Sequence, residues 1–530
     1  MKYTATILLT LGFAASASAQ VCEQSSLQEN LHYLRQLSLD LRGRLPDMAE
    51  LDSVVTNGAI DPAVITGMVR SEDVVTTLRE FYKALLWTNI SDVRLSDANW
   101  SLTRTQTTNI YYNNNRAIRY RGGSTRMPCL DEAARFDANG QILTTPDTSD
   151  PNILREGWVM VTPYWDPTTQ VKVCAFDAQA ALSVTDARGR VLDCRTTGST
   201  QKACGCGPNM NWCHSGPDRT EATITSAMAE QGHRLIDKIV REGRPYTELL
   251  TTKEYEINGP ISHYLRYQTS SGLARVYVTE ENNYSVPAIP FNQPNTWMPT
   301  TATDLHSGIL TLPIYLLKFQ SDRGRANRFY NAFLCSYFKV PDGTVLPSAD
   351  DPCTQEVDLT KRCGCKYCHV AVEPAAANWG RFAEAGVAPL NIATYPSYNA
   401  ACAAANASSN ATCKRLYLYD PGSAEEEPFK GWLRSYVFAD DERKHAAEAG
   451  PINIAQTAID NGAFAACATR KMWERYLARE TDDTLDADAL NDLTNTFKNS
   501  NYDLRVLIEA IVKRPEYIQA GRFDGKGTSR

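Results

Sequence analysis

The sequence predicts a mainly α protein made of several units, interrupted by a cysteine-stapled β-rich insertion. Apolar residues recur at helical spacing towards both ends of the 530-residue chain. Between them, residues 116–204 carry short β-leaning runs, repeated Pro and Asp, the Gly122-Gly123 pair and four cysteines. The 43% apolar content is ample for a sizeable core, and the length suits two to four units at roughly 150 residues each.

Taken in order, Lys2 gives a weakly basic start, Ile7 to Ala15 an apolar stretch, and Ala17-Ser18-Ala19 a small-residue cleavage site. Residues 1–19 are therefore expected to be a signal peptide cut near Ala19, leaving a periplasmic or extracellular chain. A lipoprotein would acylate Cys22, but Val21 is bulky where a small residue is required, so a product without lipid is expected. No later segment reaches the roughly 20 apolar residues that span a bilayer, so no transmembrane segment is expected.

Residues 20–115 read as a helical N-terminal unit. Leu31, Leu34, Leu37 and Leu41 form one stripe, and Val74, Leu78, Phe81 and Leu85 a second. The insertion at 116–204 follows, with strand-like runs such as Trp158-Val159-Met160-Val161. Residues 205–300 make a helical unit and linker. Met228, Leu235, Ile236 and Ile239 share a face, Pro245 opens a further helix, and a Pro/Asn-rich stretch from Ser285 to Pro299 links onward.

The 301–430 unit begins mostly helical, from Leu310 to Phe338, and then takes a turn-rich lead from Pro341 to Cys353. The last unit, 431–530, carries Phe464, Met472, Trp473, Tyr476, Leu504, Leu507, Ile508 and Ile511 at helical spacing. Such stripes are core, and no chemistry is assigned to them.

The 301–430 unit contains Cys365-Lys366-Tyr367-Cys368-His369, the C-x-x-C-H pattern of covalent haem c attachment. The spacing lets two thiols form thioethers with two vinyl groups on one porphyrin edge, while the adjacent imidazole binds iron. Cys365 and Cys368 would hold the macrocycle and His369 the metal. The alternatives are a disulfide knot or a zinc site, since Cys363 adds a third sulfur and Cys353 a fourth. Haem would use two of the 15 cysteines and leave an odd number, so at least one thiol is free, modified or intermolecular. Cys22 is the first suspect. Pairs Cys402–Cys413 and Cys174–Cys194 are expected, the first around a loop without apolar pattern and the second flanking two β-rich runs. Asn406 and Asn410 match glycosylation acceptors and read as incidental.

An internal echo precedes the motif. Lys202-Ala203-Cys204-Gly205-Cys206 repeats the pattern of Lys361-Arg362-Cys363-Gly364-Cys365, and each leads to an aromatic-Cys-His triplet. The earlier copy is C-x6-C-H, ending at Cys213-His214. Its longer loop would have to bulge for both sulfurs to reach one porphyrin edge. One haem is expected, with Cys204, Cys206 and Cys213 in disulfides and His214 an ordinary surface or capping histidine, against the alternative of a second haem at Cys206, Cys213 and His214.

Several stretches resemble one group of exported bacterial proteins, the Planctomycete cytochrome C type and its associated domains of largely unknown function. Leu34-Arg35-Gln36-Leu37-Ser38-Leu39-Asp40-Leu41-Arg42-Gly43 is similar to the opening of one such domain, and Arg244-Pro245-Tyr246-Thr247-Glu248-Leu249-Leu250 to part of a second. Ser307-Gly308-Ile309-Leu310-Thr311, Arg325-Ala326-Asn327-Arg328-Phe329 and Leu334-Cys335 resemble a third, whose cysteine pair and histidine correspond to Cys365, Cys368 and His369. Tyr502-Asp503-Leu504-Arg505 to Arg514-Pro515 is similar to the C-terminal member. Where the family commonly has an Asp-Pro-Leu-Gly-like turn after the motif, this chain has Val372-Glu373-Pro374-Ala375, and the insertion has no clear counterpart. The resemblance implies haem binding and electron transfer and supplies no substrate.

An iron held by His369 needs an account of its other face, for which Met298, in an irregular segment, and His306, before the Ser307-Gly308 turn, are the distal candidates. The expected function is that of an exported c-type cytochrome carrying haem c, with unknown redox donor and acceptor proteins. A haem enzyme of peroxidase type and a disulfide-stabilised surface or binding protein without haem are the alternatives. The net charge of −7 gives nucleic-acid binding no electrostatic support. No nucleophile motif or phosphate loop stands out, and acidic runs such as Glu425-Glu426-Glu427 read as solvated surface.

Overall fold

The computed structural model describes residues 17–122, 126–269, 286–302, 305–340, 343–345, 347–348 and 350–520, with backbone alone at 17–26, 118 and 520. The basic start and apolar stretch of the expected signal peptide lie outside the described residues, as does the side chain of Cys22. Helices dominate, accompanied by a small mixed sheet and by disulfides. Among the described residues no helix is long and apolar enough to cross a membrane.

The chain divides into two compact units. The first joins residues 1–81, 237–246 and 465–530. Its helices start at side-chain caps: Asp47 and Glu50 form a reciprocal capping box, and Asp61 accepts from Ala63 N just before Pro62. The Leu34, Leu37 and Leu41 stripe is fully buried, as are Leu507, Ile508 and Ile511 from the other end of the chain. Hydrogen bonds tie the two ends together: Tyr33 donates to the Val512 carbonyl at 2.8 Å, and the Tyr517 hydroxyl to Asp40 at 2.7 Å.

The second unit comprises residues 82–236 and 247–464. Its five-stranded sheet runs in the order Trp158–Val161, Val171–Cys174, Tyr111–Asn113, Ser101–Arg104 and His214–Ser215. Strands from before residue 116 and after residue 204 therefore complete the sheet of the predicted insertion. Cys174 lies opposite Trp158 in this sheet, while Val191–Asp193 pairs with Ser183–Thr185 in a separate hairpin. That separation overturns the expected Cys174–Cys194 bridge. Cys174 instead bonds Cys129, and Cys194 bonds Cys204. The 183–193 hairpin is closed by its own Asp186–Gly189 turn, so it needs no crosslink at its base.

Cys402–Cys413 forms as expected, packed among Tyr417, Leu433 and Tyr436. The side chain of Asn410 accepts hydrogen bonds from Thr412 N and Cys413 N and caps the helix Ala411–Leu416.

The part of this unit that carries the C-x-x-C-H motif is built on two adjacent helices, Asp322–Phe333 and Lys366–Ala377. Beneath them Trp379, fully buried, stacks on Tyr315 and donates from Nε1 to the Leu310 carbonyl. Arg325, also fully buried, bonds Asp322 at 2.9 Å and the carbonyls of Phe319, Phe382 and Ala383. A guanidinium with its donors so engaged locks the start of one helix to the segment that follows the other.

Candidate functional site

The lead into the motif is closed by Cys353–Cys363, a ten-residue separation that pins the turn-rich segment to the helix start. Gly364 then takes φ +82°, a left-handed conformation that a side chain would strain, and turns the chain into the helix. Cys365 is the N-cap, and the backbone N–H groups of Cys368 and His369 both donate to its carbonyl, at 3.2 and 3.0 Å. Residues three and four apart share a helix face, so Cys365, Cys368 and His369 present on one side of the first turn.

Twelve cysteines are disulfide-bonded, and Cys365 and Cys368 are the free cysteines among the described side chains. Both are half-buried. The pairing of Cys353 with Cys363 removes the third and fourth sulfurs from the zinc alternative. A group of Cys129, Cys174 and Glu156 has ligand-like spacing, but its two sulfurs bond each other.

His369 Nδ1 lies 2.6 Å from Glu373 Oε1, which also accepts from Arg323 Nε at 2.6 Å. With Nδ1 donating, Nε2 carries the lone pair and is the atom able to bind a metal. The donor set therefore fits haem c: two unpaired thiols at the attachment spacing, an imidazole with a committed Nδ1, and the exposed apolar Val370 immediately after it. A haem held there would supply a one-electron iron couple.

The echo separates from the motif at this level. Its upstream bridge is repeated, since Cys194–Cys204 spans ten residues as Cys353–Cys363 does. Cys206 and Cys213 then bond each other, whereas Cys365 and Cys368 stay open. The glycines differ too: a Cβ on Gly205 would meet Gln179 N at 2.4 Å, so close approach rather than a positive φ requires glycine there. His214 corrects an expectation. It is 3% exposed rather than on the surface, and lies on the sheet's edge strand, His214–Ser215, which pairs with Ser101–Arg104. Burial brings its imidazole down to about 4 and leaves Nδ1 without a partner.

Neither distal candidate is joined to the motif by a hydrogen bond, ion pair or ring contact among the described residues. Met298 is 43% exposed on a strand paired with Glu254–Ile257. His306 is buried, with Nδ1 2.6 Å from Thr311 Oγ1 and Nε2 unpartnered. Burial, helped by Lys253, lowers it to about 4. Because the unfolded imidazole titrates near 6.5, the stability held by neutral His306 is complete above that pH and is lost as pH falls towards 4. At pH 5 the loss is about 2 kcal/mol. His306→Asn should therefore shrink the difference in unfolding free energy between pH 7.5 and pH 5 by about that amount. Urea titrations at the two pH values measure it.

Beside Glu373 lies a cleft of about 470 Å³ lined by Asp322, Arg323, Glu373, Leu418, Arg434 and Phe438, among others. Cys365, Cys368 and His369 are not part of its wall. Burial pushes the Asp322 carboxyl up to about 7 even with Arg325 beside it.

Sequence reasoning missed Glu373 and Arg323. The His-x3-Glu spacing on a helix was a readable signal for the first, while Arg323 is brought by packing alone. No protein-family model matches this chain, and no curated protein or solved structure matches it.

Proposed function

We propose that this chain is an exported c-type cytochrome in which Cys365 and Cys368 carry one haem c, His369 binds its iron, and the protein passes electrons between redox partners. The observation that carries the reading is selective: among the described side chains twelve cysteines are disulfide-bonded, and the two left open are those of the C-x-x-C-H motif. In a disulfide-forming compartment two neighbouring thiols persist where they have another use. Disulfides throughout the described residues fit such a compartment, and the half-buried thiols are accessible to a maturation partner.

The test is the intact mass and pyridine haemochrome spectrum of protein expressed with haem-maturation machinery. The expected result is an increment of one haem, retained on a peptide containing Cys365 to His369. An increment of zero overturns the reading, and a second haem on the Cys206 to His214 peptide overturns the single site.

A second reading, a haem enzyme of peroxidase type, draws on Asp322. A carboxyl titrating near neutrality in a cleft is suited to acid–base work, and it adjoins Arg323, the partner of Glu373. Turnover of peroxide by the wild type that is lost in Asp322→Asn would favour it over simple transfer.

A further inference from the structure

Glu373 stands one helical turn beyond His369, the spacing at which side chains of a helix meet. Its carboxylate is 16% exposed and the imidazole 22%, so their contact is largely shielded from water. Arg323 reaches across from Asp322–Phe333 to the same oxygen that His369 contacts, and Glu373 helps keep that guanidinium charged against its partial burial. The helix continues through Pro374, whose missing N–H frees the carbonyl one turn back, at exposed Val370 rather than at His369.

A carboxylate at Nδ1 does two things that a neutral carbonyl does only in part. It fixes the tautomer in which Nε2 is bare, and it feeds electron density into the ring, making Nε2 a stronger donor. A stronger donor favours ferric over ferrous iron. A guanidinium on the same carboxylate oxygen draws some of that density away.

We infer that Glu373 is a positioning residue that commits His369 to Nε2 ligation and lowers the reduction potential of the iron, with Arg323 limiting the extent. This rests on the haem reading of Cys365, Cys368 and His369. A bridge that merely fastens two helices would need Arg323 and Glu373 equally and would leave the imidazole tautomer unaffected.

The test combines potentiometry of the holoprotein with ¹⁵N shifts of His369 in protein prepared without haem. Glu373→Gln should raise the potential, by about tenfold in the reduction equilibrium, which is about 59 mV for one electron. Arg323→Gln should move it the opposite way by less. Without haem, and at an alkaline pH at which the ring is neutral, the wild type should show Nδ1 protonated and Nε2 bare, and Glu373→Gln should mix the tautomers. Haem-loaded Glu373→Gln with an unmoved potential, or both variants shifting in the same direction, overturns the assignment. A wild type without covalent haem overturns the haem reading and the claim on the iron together, and the haemochrome spectrum separates that failure from the first.

Discussion

With haem held as proposed, Cys365→Ala and Cys368→Ala are each expected to abolish stable two-bond attachment while leaving the protein folded. Each thiol is half-buried and outside every disulfide, so its loss removes no crosslink, and changes of this kind typically move stability by only about 0.5 kcal/mol. A single thioether holds the macrocycle by one edge carbon and leaves it poorly retained during maturation. Cys353→Ala provides the contrast. It opens the bridge to Cys363, and the ten-residue separation predicts a stability cost of about 3 kcal/mol, with both attachment thiols still present. Haem stain on denaturing gels and urea midpoints, measured on the same preparations, distinguish the two classes. If Cys365→Ala and Cys368→Ala keep a full covalent haem complement, the attachment site lies elsewhere.

Replacing Arg121 with leucine is expected to destabilise the second unit by about 3–5 kcal/mol. Arg121 is 1% exposed in its side chain and contacts two carboxylates, Glu156 and Asp177, that are both fully buried. Nε donates to Glu156 at 2.9 Å, Nη2 bonds the other Glu156 oxygen, and Asp177 lies 3.6 Å away. The two carboxylates together keep the guanidinium charged in spite of its burial. Asp177 also accepts from Asn113 N, so the triad ties the segment at 121 to a central strand of the sheet. Leucine would leave Glu156 buried without its counter-charge and Asp177 with Arg116 alone to offset it, so that Glu156 in particular could remain only by taking up a proton. The destabilisation should consequently shrink as pH is lowered. Arg121→Lys should recover part of the loss, since an ammonium restores charge but not the two-pronged geometry. Chemical denaturation of the wild type and both variants at pH 7.5 and 5 measures this. A loss below about 1 kcal/mol in Arg121→Leu would mean that the triad is held by its surroundings and contributes little.

Periodicity, caps and motif spacing are local, and what depends on them was legible in the residues alone. The stripes at Leu34, Leu37, Leu41 and at Leu507, Ile508, Ile511 are helical and fully buried because a 3.6-residue repeat puts them on one face whatever they pack against. Cys402–Cys413 was readable because a short loop brings its ends together. The C-x-x-C-H motif was readable as a set of donors, because attachment chemistry itself dictates the spacing of two thiols and an imidazole.

What depends on contacts between distant segments needed the tertiary structure. Tyr33 and Val512, 479 residues apart, share one core, and nothing in either segment names the other. Cys129 rather than Cys194 meets Cys174, because the strand at 171–174 pairs with 158–161 and 111–113 while Cys194 leaves on a hairpin that closes itself. His214 is buried on a strand whose pairing partner lies more than a hundred residues earlier. The same distinction separates the C-x-x-C-H motif from its C-x6-C-H echo. By itself the sequence determined the type and spacing of the donor atoms proposed to hold a haem, since ligand chemistry resides in residue type and near spacing. Only the tertiary structure decided which cysteines remain open and which groups, Glu373 and through it Arg323, face the histidine, because those follow from how helices and strands pack across the chain.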